Sequence, residues 1–209
     1  MTDTVILLHA IFRTKRCMAG LERLLRTHGY DVLNLGYPST RFTLEQLAEH
    51  IHSAIQQAAA RSAHIHFIGY SMGGLLIRAY LAAYPPANLG KVIMLGTPNQ
   101  GSQVADRIHG WKLYQWLYGP AGQQLTTHTP CPHRLPACTL GIIAGNRSYD
   151  PIFGRYLPSV HDGKVTVENT KLPEMSDHII LPVCHTLMPE SKAAQAQVLA
   201  FLTTGKFQR

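Results

Sequence analysis

Short, unbroken apolar runs alternate along this chain with longer stretches whose apolar residues recur every three or four positions. The first run, Val5-Ile6-Leu7-Leu8, shows no polar alternation, as expected of a strand covered on both faces of a parallel sheet. Cys17 to His28 then places Met18, Leu21, Leu24 and Leu25 at helical spacing and closes at Gly29, a residue suited to the left-handed turn that ends a helix. Asp31 to Leu35 reads as the next strand. Phe42 to Ala60 reads as a helix with Leu44, Leu47, Ile51 and Ile55 on one face and Thr43 with Gln46 as its N-terminal cap. A third strand over His64 to Ile68 runs into a glycine-rich turn, and the helix behind it stops near Tyr84, at Pro85-Pro86. Further strands are expected at Lys91 to Leu95, Thr139 to Ala144 and Ile179 to Val183, with helices at Ser102 to Leu117 and Ser191 to Thr203. An irregular connection fills Gly145 to Asp162.

Strand and helix alternate from end to end, which predicts one α/β domain over residues 1–209. Its sheet would be mostly parallel and doubly wound, of about six strands, with helices on both faces. Residues 101–136, with glycine and four prolines between Tyr118 and Pro136, leave room for a small cap or lid at most.

The turn after the third strand is Gly69-Tyr70-Ser71-Met72-Gly73-Gly74. Strand, sharp turn and helix around Gly-x-Ser-x-Gly make a nucleophile elbow, which lifts the serine hydroxyl clear of the sheet edge. Glycines at 69 and 73 let strand and helix approach without a Cβ between them. Ser71 is therefore the candidate nucleophile, and it needs a base to take its proton. His185, in Pro182-Val183-Cys184-His185-Thr186, follows the last strand, where such a base belongs. Its competitor His178 lies at that strand's start, away from the C-terminal strand ends where open α/β sheets gather their reacting groups. For the acid, Asp162 opens Asp-Gly-Lys-Val, a tight turn able to aim a carboxylate at an imidazole. Asp162 also reads as a turn residue capping its own backbone. Asp150 is the runner-up, and Asp177 reads as an exposed turn residue. An oxyanion site needs two backbone N–H groups. Met72 supplies one at the positive end of its helix; Ile11 supplies the other, with Phe12 as the alternative. His9 reads as a brace for that loop.

Composition narrows the function less. A net charge of +7 arises from 19 Lys and Arg against 12 acids, with no basic run long enough to track a nucleic-acid backbone. It reads as a solvated basic surface, or as attraction to anionic substrates or an anionic membrane. Cys17, Cys131, Cys138 and Cys184 fit no zinc spacing and no disulfide scaffold. They read as free thiols; a Cys131–Cys138 bridge, or a metal held with His128 and His133, is the other possibility. No cofactor and no metal are expected. The start of the chain does not read as a signal peptide, and no apolar segment reaches the ~20 residues of a membrane span. A cytoplasmic protein with at most peripheral membrane contact is expected, and the oligomeric state is open.

Taken together, Leu8-His9-Ala10, the elbow, Gly96-Thr97-Pro98, Asp162-Gly163-Lys164-Val165 and His185 resemble the small lipases and esterases of the α/β-hydrolase superfamily. The resemblance spans nearly the whole chain and departs at Ala10, where such lipases usually carry His-Gly. It implies an α/β-hydrolase fold with Ser71 as nucleophile, Asp162 and His185 as acid and base, and Ile11 and Met72 as oxyanion donors. The expected activity is hydrolysis of a carboxylic ester or lipid through an acyl-enzyme. Acyl transfer or thioester hydrolysis on the same residues is the alternative, as is a non-catalytic binding protein. Trp111 and Trp116 read as a helix packed on the sheet or as the wall of an acyl pocket. Phe12, Tyr70 and Tyr149 are further candidate substrate contacts, with Phe153 and Tyr156 as another wall.

Overall fold

The computed structural model describes residues 1–103, 106, 120–124, 131, 133–149 and 157–209. Among the described residues, six parallel strands form one open sheet in the order β2-β1-β3-β4-β5-β6. They are β1 (Thr4–Leu8), β2 (Asp31–Leu35), β3 (Ile65–Tyr70), β4 (Leu89–Leu95), β5 (Thr139–Gly145) and β6 (Asp177–Leu181). Helices α1 (Ala19–Thr27), α2 (Leu44–Ala59), α3 (Met72–Ala83), the single turn α4 (Val167–Thr170) and α5 (Lys192–Thr204) accompany them.

Strand pleating splits the apolar runs between two cores. Ile6, Leu8, Phe67, Val92 and Met94 meet α2 and α3 on one face, whereas Val5, Leu7, Ile68, Ile93 and Leu95 meet α1 and α5 on the other. This is why the runs lack polar alternation: both sides of each central strand are dry. The helix ends follow local chemistry. Thr43 Oγ1 accepts from Gln46 N at 3.3 Å while Gln46 Oε1 accepts from Thr43 N at 3.1 Å, a reciprocal cap that satisfies two donors at the start of α2. Ser191 caps α5, and Gly205 closes it in the left-handed conformation.

Sheet order fixes where chemistry can gather. From β1 the chain winds outward to β2, then returns to β3 on the other side of β1. The loops leaving β1 and β3 therefore diverge and open a crevice at the carboxyl edge, the usual ligand position in such sheets.

Two expectations are corrected here. The last strand lies two residues earlier than its apolar run suggested, because its register is set by pairing with β5, from Gly141 opposite Asp177 to Gly145 opposite Leu181. Asp177 is not an exposed turn residue. It opens β6 with a side chain 7% exposed, accepts from Phe207 N at 2.9 Å and pairs with Arg209 at 2.5 Å. The C-terminal tail thereby covers the edge strand's polar start.

The helix expected over 102–117 falls almost wholly outside the described residues, as do most of the expected cap and Trp111, Trp116, Asp150, Phe153 and Tyr156. All four cysteines carry free thiols. Among the described residues, no helix is long and apolar enough to cross a membrane.

Two buried imidazoles give the fold a pH dependence. His66 Nδ1 accepts the Lys91 N–H at 2.8 Å, and Nε2 faces Asp3 Oδ2 at 3.3 Å; His9 is also buried. Burial lowers the pKa of both, against the raising influence of Asp3 on His66 and of the Ala10 carbonyl on His9. The folded chain thus binds these protons less readily than the unfolded chain. Their stabilisation is complete above the ordinary histidine pKa of ~6.5 and is lost as pH falls below it. Thermal midpoints at constant ionic strength should drop from pH 7.5 to pH 5. In the variant His66→Gln that drop should be shallower; an unchanged slope would remove His66 from the account.

Candidate functional site

β3 ends at Tyr70, and the next residue, Ser71, turns the chain into α3 with φ 55° and ψ −121°. Its peptide N–H is tied to Leu95 O of β4 at 2.8 Å. The turn is possible because nothing stands between strand and helix: a Cβ on Gly69 would lie 2.5 Å from Gly74 N, and one on Gly73 would lie 2.3 Å from Leu8 O. Gly73 thereby lets α3 start against the end of β1. Among the described residues, only Ser71 and Phe12 are non-glycine residues at positive φ. Both lie in the crevice loops, and such strain persists only where the surrounding structure over-determines it.

The loop after β1 contains a turn in which Arg13 N donates to Ala10 O at 3.2 Å. Positive φ falls on Phe12, at 58°, so Ala10 keeps an ordinary conformation and packs in the core at 5% exposure. His9 braces this loop. Its ring stacks on Tyr37 with centroids 4.0 Å apart, Nδ1 donates to Ala10 O at 2.8 Å, and Nε2 accepts from Tyr37 N. Tyr37 also donates its hydroxyl to His9 O. Ile11 thus lies in a turn held from both sides, and Met72, at the start of α3, carries an N–H without an intrahelical acceptor.

The remaining groups arrive from the far half of the sheet. His185, beyond β6, faces Ser71 Oγ with Nε2 at 3.0 Å and Asp162 Oδ2 with Nδ1 at 2.7 Å. Asp162 is 2% exposed, and its two carboxylate oxygens take different partners. Oδ1 accepts from Lys164 N at 3.0 Å and Val165 N at 2.8 Å, closing its own turn, while Oδ2 is left for the imidazole. The His185 N–H donates to Asp162 O at 2.9 Å, a second tie between the two loops.

This pair sits on two glycines whose part the sequence did not reveal. At Gly96, where φ is +57°, a Cβ would lie 3.1 Å from both Asp162 Oδ2 and His185 Nδ1; at Gly145 it would lie 2.4 Å from Val183 O and 2.8 Å from Asp162 Cβ. Gly145 ends β5 and Gly96 directly follows β4, both beneath the site. The Gly96-Thr97-Pro98 signature marked one position without showing that space for the acid–histidine pair is what it supplies.

His178 is not brought to this site. It lies near the start of β6, at the opposite edge of the parallel sheet, with Nε2 3.2 Å from Thr170 Oγ1. Tyr70 is a correction: expected as a substrate contact, it is 2% exposed. Its side chain points into the core on the α1 face, and its hydroxyl donates to His185 O at 2.8 Å. Phe12 and Tyr149 do reach the surface, at 44% and 80% exposure. Chemically, the chain serine–imidazole–carboxylate can draw a proton from Ser71 Oγ to Nε2 while the carboxylate holds the opposite N–H. Among the described residues, no three His, Cys, Asp or Glu side chains are grouped to hold a metal ion.

Comparisons with known proteins bear on the family and the fold. A family model described as the alpha/beta hydrolase fold matches residues 3–129, a span that holds Ile11, Ser71 and Met72. The chain is 33% identical over 116 residues to a triacylglycerol lipase of Pseudarthrobacter phenanthrenivorans, covering 50% of this chain and 35% of that one. It is 38% identical over 64 residues to a triacylglycerol lipase of Pseudomonas fragi, covering 31% of this chain and 21% of that one. The match thus spans about a third or less of these relatives' own length. Among solved structures, the mature Bacillus licheniformis lipase BlEst2 superposes with a TM-score of 0.77 at 20% identity, covering 98% of this chain and 92% of that chain. At that identity the likeness is one of fold.

Proposed function

This chain belongs to the α/β-hydrolase fold family, and from its site we propose that it is a serine-dependent carboxylic ester hydrolase working through an acyl-enzyme. The observation that carries the reading is the strained Ser71 with its hydroxyl 3.0 Å from an imidazole that is itself held by a buried aspartate. In the first half-reaction Ser71 Oγ bonds to the ester carbonyl carbon while its proton passes to His185 Nε2. The carbonyl oxygen becomes an oxyanion facing the N–H groups of Met72 and Ile11. Collapse breaks the bond to the alcohol, which leaves with the proton from Nε2. Water then repeats the sequence on the acyl-serine, giving the carboxylic acid and free Ser71.

The rim of the crevice supports an apolar acyl group. Phe12 after β1, Phe42 after β2, Tyr149 after β5 and Leu187 after β6 are exposed by 44%, 39%, 80% and 51%. All four stand on loops at the carboxyl edge of the sheet, where Ser71 lies. The triacylglycerol lipases among the relatives are in keeping with a lipid-like ester, and such a rim suits peripheral contact with a lipid surface.

A fluorophosphonate tests this directly. It should add one phosphonyl group to the chain, and mass spectrometry of the digested protein should place it on Ser71. No adduct, or an adduct on another residue, would sink the proposal and leave a hydrolase-like binding protein.

A further inference from the structure

His185 lies four residues beyond the end of β6, and the loop's bond to the continuation of β5, Arg147 N to Val183 O at 3.3 Å, stops two residues short of it. Its imidazole nevertheless has to meet a hydroxyl on another strand, and an error of about 1 Å in such a placement can cost on the order of 100-fold in rate. Something must carry the position of Ser71 across to this loop.

We propose that Tyr70 is that positioning residue: through its hydroxyl bond to His185 O it sets the height of the imidazole against the neighbouring serine. Tyr70 is covalently next to Ser71, so the phenol reaches from the nucleophile's own strand directly to the backbone of the base. The bond is 2.8 Å long and buried. The tyrosine ring lies beneath the imidazole, with centroids 5.5 Å apart and planes tilted by 41°. The ring belongs to the same buried cluster on the α1 face as Leu7, Ile68 and Met188. Burial also pushes the phenol's pKa upward, so the hydroxyl stays a donor wherever the enzyme would be assayed.

The tie completes the anchoring of the histidine backbone. His185 N–H is held by Asp162 O at 2.9 Å, and His185 O accepts from Met188 N at 3.2 Å as well as from Tyr70. The Met188 bond only closes a turn within the same loop. The Asp162 bond joins two loops that could shift together. The Tyr70 bond is the one that refers both of them to the strand carrying Ser71. This inference rests on the ester hydrolase reading for its kinetic consequence, but the geometric claim is independent of it.

The test is Tyr70→Phe, which keeps the ring and removes one donor. Rates are expressed per serine titrated with fluorophosphonate, so loss of folded protein does not enter. Hydrolysis of a soluble p-nitrophenyl ester should show kcat lowered by about 10-fold to 100-fold with KM unchanged within twofold. Tyr80→Phe, another buried tyrosine whose hydroxyl lies 3.4 Å from His52 Nδ1 on α2, is the structural control and should keep its kcat. Equal kcat in Tyr70→Phe and Tyr80→Phe, or a change confined to KM, would overturn the assignment. A second readout needs no substrate: the low-field proton resonance of His185 Nδ1–H should broaden in Tyr70→Phe and persist in Tyr80→Phe. If wild-type protein neither takes the fluorophosphonate nor cleaves esters, the hydrolase reading has failed. The resonance then still decides Tyr70, and an unaltered line would reject it.

Discussion

Ser71→Ala is expected to remove turnover of p-nitrophenyl acyl esters, with a fall in kcat of about 10⁶, the size found when a nucleophile acting in concert with its base is deleted. The fold should survive. Alanine keeps the Cβ and loses only the hydroxyl, whose partner His185 remains held by Asp162 on its other nitrogen. A companion variant separates chemistry from strain. Ser71 adopts φ 55° and ψ −121°, a conformation that costs a side-chain-bearing residue on the order of 1–3 kcal/mol and a glycine much less. Ser71→Gly should therefore be as inactive as Ser71→Ala and yet melt at a higher temperature than either Ser71→Ala or the wild type. Turnover within tenfold of wild type in the alanine variant would end the nucleophile assignment. A glycine variant that melts lower would mean that the elbow is not strained in the way its dihedrals indicate.

The legibility of this fold divides along the line between local and non-local causes. Asp31–Leu35 and the capped start of α2 were readable because everything that forms them lies within a few residues: an apolar run, or Thr43 and Gln46 exchanging hydrogen bonds. The elbow was readable for the same reason, since glycines at 69 and 73 are needed wherever a strand turns that sharply into a helix. Strand β6 was displaced by two residues because its ends are fixed by β5 and by the tail that covers Asp177, neither of which leaves a mark on the local pattern. Tyr70 was misread for a related reason. A tyrosine beside a nucleophile looks like a pocket wall until the fold shows that strand alternation turns it into the core, toward His185. The space under the acid–histidine pair was hidden entirely: nothing in the sequence around Gly145 says that Asp162 will one day lie 2.8 Å from where its Cβ would be.

Asp162→Asn should lower kcat by about 10⁴, and the turn geometry gives the reason in advance. Oδ1 of Asp162 accepts the N–H groups of Lys164 and Val165, so the asparagine amide has one favourable orientation: its oxygen toward those donors and its NH₂ toward His185. The imidazole then meets a donor at Nδ1 instead of an acceptor. Its own proton is forced to Nε2, the nitrogen that has to be bare to take the proton of Ser71. Because the asparagine keeps both bonds that close the turn, the loop should hold its shape and the thermal midpoint should move little. Fluorophosphonate labelling of Ser71 should slow in step with kcat, since both need the same proton transfer. Asp150→Asn, made alongside, is expected to leave kcat near wild type. A loss of less than tenfold in Asp162→Asn, with a larger loss in Asp150→Asn, would move the acid to position 150 and show the Asp162 carboxylate to be a turn cap alone. The two carboxylates lie twelve residues apart on the same connection, so the comparison isolates which of them decides the tautomer of His185.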